Sequence, residues 1–338
     1  MKLLAPLWLI VSLLVVLASS PLALGQASPE PRSIKPLTTR TATPGPQQRA
    51  DIEAYVRYHA QRLAADDLAT SEDARRELSA LLRTPGVTLV FRNAIAKPLI
   101  EALRPVIAQD ERPMAAFNAI QIISLLATQQ ALDVMRDHCS VGREGRPALR
   151  LRAAIGMQNV IAHAGDNVLF PRDEASAVRD LRAAAEAETV GWVLHRQFDA
   201  LANIGGPQAS SELDAAFETV VVRLQQGGAT DHIGALHPAV VHMRNRVVND
   251  PRTAGTIAPM VTALLRLPLQ HWAGVKDDDA MRDMYGHVIT VAEGTAQVID
   301  KTMQSRLRRA ELASSLANRD RDRYSDSYDE VKAALGGN

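Results

Sequence analysis

AAFNAIQIIS (Ala115 to Ser124), LRLRAAIGMQ (Leu149 to Gln158) and LHRQFDALAN (Leu194 to Asn203) are three apolar segments with similar residue types in similar order. Slid over one another by 35 and then 44 residues, they bring Phe117, Arg152 and Arg196 to one shared position. Ile122, Met157 and Leu201 share another. Self-similarity at a period of about 20 to 50 residues marks stacked units, each unable to bury its apolar face alone. In the middle segment Leu149, Ala153, Met157, Val160 and Ala164 fall on one helical stripe, and Leu151, Ile155 and Ile161 widen it. A helix patterned this way is covered on more than one side. Ala153, Ala154 and Gly156 are small enough to let a neighbouring helix approach closely.

Upstream, Ile52, Tyr55, Val56, His59 and Leu63 recur at helical spacing from Gln48 onward. Ser71-Glu72-Asp73 reads as a helix start ahead of Leu78, Leu81 and Leu82, and Thr84-Pro85-Gly86 as its stop. A further helix over about 87–107 contains Pro98, which is expected to kink it or split it in two. Together, 48–111 are expected to form an N-terminal helical cap. Residues 26–47, with five prolines among Ser and Thr, read as a Pro-rich, semi-extended linker. Residues 1–25 combine Lys2, the run LLAPLWLIVSLLVVLA and small residues before Gly25. That is the pattern of a secretory signal peptide, so the mature chain is expected to start near Gln26 in the periplasm or outside the cell. The apolar run is interrupted by Pro6, Ser12 and Ser19-Ser20-Pro21, and no stable membrane insertion is expected after cleavage.

Downstream of the repeats, a helix through His237-Pro238 is stopped by Asn249-Asp250-Pro251, and another runs from Ile257 to Leu267, ended by Pro268. Asp277-Asp278-Asp279 opens a long helix with Met281, Tyr285, Val288, Ala292, Thr295 and Ile299 on one face. Arg306, Arg308 and Arg309 suit its last turns. Residues 273–317 are expected to supply a C-terminal capping helix. The charge alternation of 318–338 reads as a polar, solvated tail, with at most a short helix around Val331 to Leu335.

Arg146-Pro147 followed by Leu149-Arg150-Leu151-Arg152-Ala153-Ala154 resembles the second helix of HEAT-like, armadillo-type repeats. Phe117 in the first unit and Phe198 in the third depart from that family's preferences. The resemblance implies an all-α fold over 112–272, an α-solenoid of stacked antiparallel helix pairs. The second unit is nine residues longer than the first, and the excess fits at 165–175. There Val168, Leu169, Phe170 and Arg172 place apolar side chains in a loop, the candidate partner-binding edge.

Charge and cysteine usage narrow the function. The chain has 338 residues, with 38 basic and 38 acidic side chains and a single cysteine, Cys139. An intramolecular disulfide is impossible, so an exported chain must be held by its packed core. Near-zero net charge supplies no field for nucleic acid, and none is expected as a partner. Only six of the basic residues are lysine, a composition typical of GC-rich bacterial genomes. Arg136, Arg143, Arg146, Arg150 and Arg152 form the densest basic cluster, and Arg150 and Arg152 are expected to pair with acids of neighbouring units such as Asp133 or Asp137.

Reactive constellations are sparse. His232, His237 and His242 step by five residues, which takes His237 and His242 to different faces of a helix rather than to an i, i+4 metal pair. His138-Cys139 lacks any cysteine-protease signature, and Asp320-Arg321-Asp322 lacks the ligand spacing of a calcium loop. G-x-S-x-G, H-E-x-x-H, P-loop and dinucleotide fingerprints are missing from the sequence. The expected function is therefore an exported, non-enzymatic scaffold that binds a protein or peptide partner and needs no cofactor. The competing expectation is an exported hydrolase or metal-dependent enzyme whose site is assembled from His195, His232, Asp199 and Asp231.

Overall fold

The structure is a computed structural model whose described residues are 30–164, 168–305, 307 and 310–336. The signal-peptide reading of 1–25 and the arginines Arg306, Arg308 and Arg309 lie outside them. The described residues are all-α, without strands. Fifteen α-helices follow in order: α1 Pro46–Leu63, α2 Leu68–Leu82, α3 Leu89–Ile107, α4 Pro113–Ser124, α5 Gln129–His138, α6 Pro147–His163, α7 Pro171–Ala187 and α8 Gly191–Ile204. The remainder are α9 Gly206–Gln225, α10 His237–Asn249, α11 Ala254–Gln270, α12 Trp272–Asp277, α13 Asp279–Met303, α14 Leu312–Ala317 and α15 Arg321–Ala334. A 3-10 helix, Thr230–Leu236, precedes α10.

Local chemistry sets the starts. Pro46, Pro113, Pro147 and Pro171 each stand at the first residue of a helix, where the missing N–H costs nothing. Asp67, Thr88, Thr128, Asp278 and Asp320 accept a backbone N–H three residues on and cap α2, α3, α5, α13 and α15. Between α8 and α9, Gly205 has φ of 74°, a conformation L side chains rarely adopt, and the chain reverses there without a longer loop.

The three segments quoted above are α4, α6 and α8, and they pack in that order, α4 on α6 and α6 on α8. α5, α7 and α9 follow alongside, α5 touching α7 and α7 touching α9. Beyond them α10 packs on α8 and on α13, and α11 bridges α9, α13 and α15. The second shared position is buried in all three helices, whereas at the first Arg196 is exposed and pairs with Asp199 of its own helix. Ile122, Met157 and Leu201 are all 0% exposed, and the Arg152 guanidinium carbon lies 5.6 Å from the Phe117 ring centroid. At Gly156 α6 lies close against α5 and α4, since a Cβ there would meet the Met135 sulfur at 2.2 Å and the Ser124 Cβ at 3.3 Å.

Four sequence expectations need correction. The proposed linker is packed where it is described: Ile34 and Thr38 are buried, and the Thr38 carbonyl accepts the Thr88 N–H at 2.9 Å. The stretch 318–336 is not a solvated tail but contains α15, because Tyr324, Tyr328, Val331 and Leu335 form a buried stripe and the Tyr324 hydroxyl donates to the Leu265 carbonyl at 2.8 Å. α2 starts at Leu68, capped by Asp67, three residues before the expected Ser71. Pro98 does not split α3 and Pro268 does not end α11, for each element runs past its proline.

Candidate interaction surfaces

The loop named from sequence is partly visible. Phe170 is 62% exposed and caps α7, and Arg172 stands over its ring at 5.5 Å. Leu169 turns inward against the core and Val168 is half-buried.

A larger surface lies between α1 and α3. A trough of about 620 Å³ has a floor of small or apolar groups, among them Ala60, Ala64, Ala102 and Val106, between charged side chains of both helices. A second hollow of about 500 Å³ shares Glu53, Lys97 and Pro98 with it, so the two are continuous. Pro98 and Pro105 line this trough from inside α3. A helical proline donates no bond to the carbonyl four residues back, which here are those of Ala94 and Glu101. Glu101 lines the trough and Ala94 the second hollow. The prolines thus leave backbone acceptor capacity beside an apolar floor.

The arginine cluster resolves into two kinds of site. Arg150 and Glu188 are 2% and 0% exposed, joined by Nε to Oε2 at 2.8 Å and Nη2 to Oε1 at 2.7 Å. Arg150 Nη1 also donates to the Glu144 and Gly145 carbonyls, and Glu188 accepts the Thr189 and Val190 N–H groups. This fork pins the segment before α6 to the segment before α8. Burial pushes the Glu188 carboxyl up, but the Arg150 hydrogen bonds and charge outweigh it and hold the carboxyl below its usual range. Nearby, Arg146 and His138 hold Glu144 down to about 2 against the same opposing effect of burial. Arg136 pairs with Asp180 and Asp133, Arg143 with Asp137, and Arg146 with Glu144 and Asp110. Arg150 therefore finds an acid of a neighbouring unit, though Glu188 rather than Asp133 or Asp137. Arg152 finds none. Its Nε is buried without an acceptor, and burial together with the Arg83 charge lowers its guanidinium to about 10.

Of the remaining candidates, His232 and Asp231 are brought together, with Nε2 4.0 Å from Oδ1. His237 stacks on His287 of α13 at 4.7 Å, whereas His242 Nε2 meets the Ser210 hydroxyl of α9 at 3.1 Å. His195 Nδ1 faces the Gly234 carbonyl, Asp199 bonds Arg196 and Asn203 on its own helix, and His232 Nδ1 meets the Arg223 guanidinium Nη2. Among the described residues no group of three or more His, Cys, Asp or Glu side chains is arranged to hold a metal. Cys139 is 1% exposed, and burial pushes its thiol up to about 12, far from the thiolate a nucleophile needs. No helix among the described residues is long and apolar enough to cross a membrane.

The chain matches no known protein family and no curated protein. The trough, the Phe170 loop and the arginine face must be read from their own chemistry. Sequence reading missed the trough because its floor comes from two helices, although the two prolines inside α3 were visible from the start.

Proposed function

We propose that this chain is an exported helical-repeat scaffold, similar to HEAT-like arrays, that docks a peptide segment of a partner protein. Support for the repeat architecture is the serial packing of α4, α6 and α8, with the matched residues Phe117 and Arg152 in contact. Support for export is the pattern of residues 1–25. The observation that carries the binding role is the trough between α1 and α3. Its alanine floor takes apolar side chains, and the carbonyls released by Pro98 and Pro105 accept backbone N–H groups of an incoming segment. α1 to α3 then serve as the cap and the docking end of the array, and α13 to α15 close the other end.

A displayed random-peptide library selected on the purified chain tests this reading. Enriched peptides should lose binding to Ala64→Arg and Ala102→Arg, which fill the floor from a half-exposed position, and keep it to Phe170→Ser. Peptides that ignore both floor variants overturn the docking site, and peptides that depend on Phe170 move it to the loop.

A further inference from the structure

Arg152 stands apart from the other arginines of its cluster. Arg136, Arg143, Arg146 and Arg150 each reach a carboxylate, in a chain where acidic and basic residues are equal in number. Acids are not scarce, yet the side chain of Arg152 has only an aromatic ring beneath it and a second cation nearby. Phe117 lies 5.6 Å from the guanidinium carbon, and the Nε finds no acceptor. Arg83 ends α2, which packs against α4, the helix that carries Phe117. Arg83 is exposed and forms no ion pair, and its charge acts on Arg152. Two cations placed together without a counterion, one of them largely desolvated, oppose folding, and the cation–π attraction of the ring works against that cost.

We infer that Arg152, Arg83 and the Phe117 ring form an oxyanion-binding site that takes a carboxylate or phosphate group. The ring holds the guanidinium plane in place, and a planar fork so fixed can meet two oxygens at once. Arg83, exposed and close enough for its charge to act on Arg152, adds charge and draws the anion in. Phe117 and Arg152 occupy matched positions of successive repeats, so the site is a product of the repeat register. It shares no lining residue with the trough between α1 and α3 and does not depend on peptide docking there.

Titration of the whole chain with inorganic phosphate, and separately with acetate, against sodium chloride at equal ionic strength provides the test, read by calorimetry and by the shift in melting temperature. Saturable binding of one or both anions is expected. Arg152→Gln should weaken it by about tenfold or more, the loss of roughly one charge-assisted hydrogen bond. Arg83→Gln should weaken it several-fold, and it alters only an exposed side chain, so it remains informative if the Arg152 variant folds poorly. Arg172→Gln is the control, since Arg172 also lies over a ring, that of Phe170, but pairs with Asp173. A response to phosphate and acetate no larger than to chloride, or binding that survives both Arg83→Gln and Arg152→Gln, overturns the site. Preference for one anion identifies the group recognised.

Discussion

Arg150 and Arg152 sit two residues apart on α6 and face opposite electrostatic situations. On the Arg150 side each guanidinium nitrogen has an acceptor, and the ion pair with Glu188 is sealed inside the junction of two units. The Arg152 side offers a ring and a like charge. Burial alone does not say what a charged group does. A cation whose partners come from its own chain acts as a fastener, whereas one left short of a counterion is available to something from outside.

The largest expected effect comes from breaking the fastener. Glu188→Ala leaves Arg150 buried without its counter-charge and should cost about 3 to 5 kcal/mol of unfolding free energy by urea titration. A loss below about 1 kcal/mol would mean that Arg150 turns to solvent, and the contrast between the two sides would vanish. Met157→Ala comes next. Met157 is 0% exposed between the flanking helices, and its truncation should cost about 2 to 5 kcal/mol through lost transfer energy and a residual cavity. Each unit touches mainly its neighbours, so hydrogen exchange should rise most across 112–206 and least in α13.

Acid provides a gentler way to open the same junction. The folded-state values of Glu144 and Glu188 are depressed, so their contribution is complete above the usual carboxylate range and is lost as pH falls through the folded values. For Glu144 that window runs from about 4.5 down to about 2. Melting temperature should fall through this window, and Glu144→Gln should flatten the fall. An unchanged acid limb in that variant would place the sensitivity elsewhere.

How far the sequence led depends on which signal competed with which. Helical period and repeat offsets located α4, α6 and α8 because apolar spacing there has no rival. The same spacing is present at Tyr324, Tyr328, Val331 and Leu335, but the surrounding charges obscure it and give 318–338 the pattern of a solvated stretch. The proline-rich segment misled for a related reason, since composition cannot show that Ile34 has a cavity to fill or that Thr88 needs the Thr38 carbonyl. Ion-pair partners were the least legible, because Arg150 and Glu188 are 38 residues apart and meet only once the units stack. Tyr324→Phe measures how far α15 belongs to the body. Losing the hydroxyl leaves the Leu265 carbonyl short of a donor and should cost about 1 to 2 kcal/mol, whereas a truly solvated tail would register nothing.

The smallest effect is expected at Arg152 and sharpens the comparison most. Arg152→Leu removes a cation–π contact of about 0.5 to 1 kcal/mol but also relieves desolvation and the opposing charge of Arg83. The two changes have opposite sign, so stability in chloride buffer should move by less than about 1 kcal/mol in either direction, against a much larger loss for Arg150→Leu, which strands Glu188. Matched melting curves of the two variants, with and without phosphate, separate the roles. Arg150→Leu should be unstable in both buffers. Arg152→Leu should match the parent chain in chloride and fall behind it in phosphate, because only the parent gains from the anion. If Arg152→Leu instead unfolds as readily as Arg150→Leu without phosphate, Arg152 is a second fastener whose ring contact suffices, and the distinction between the two sides of α6 fails.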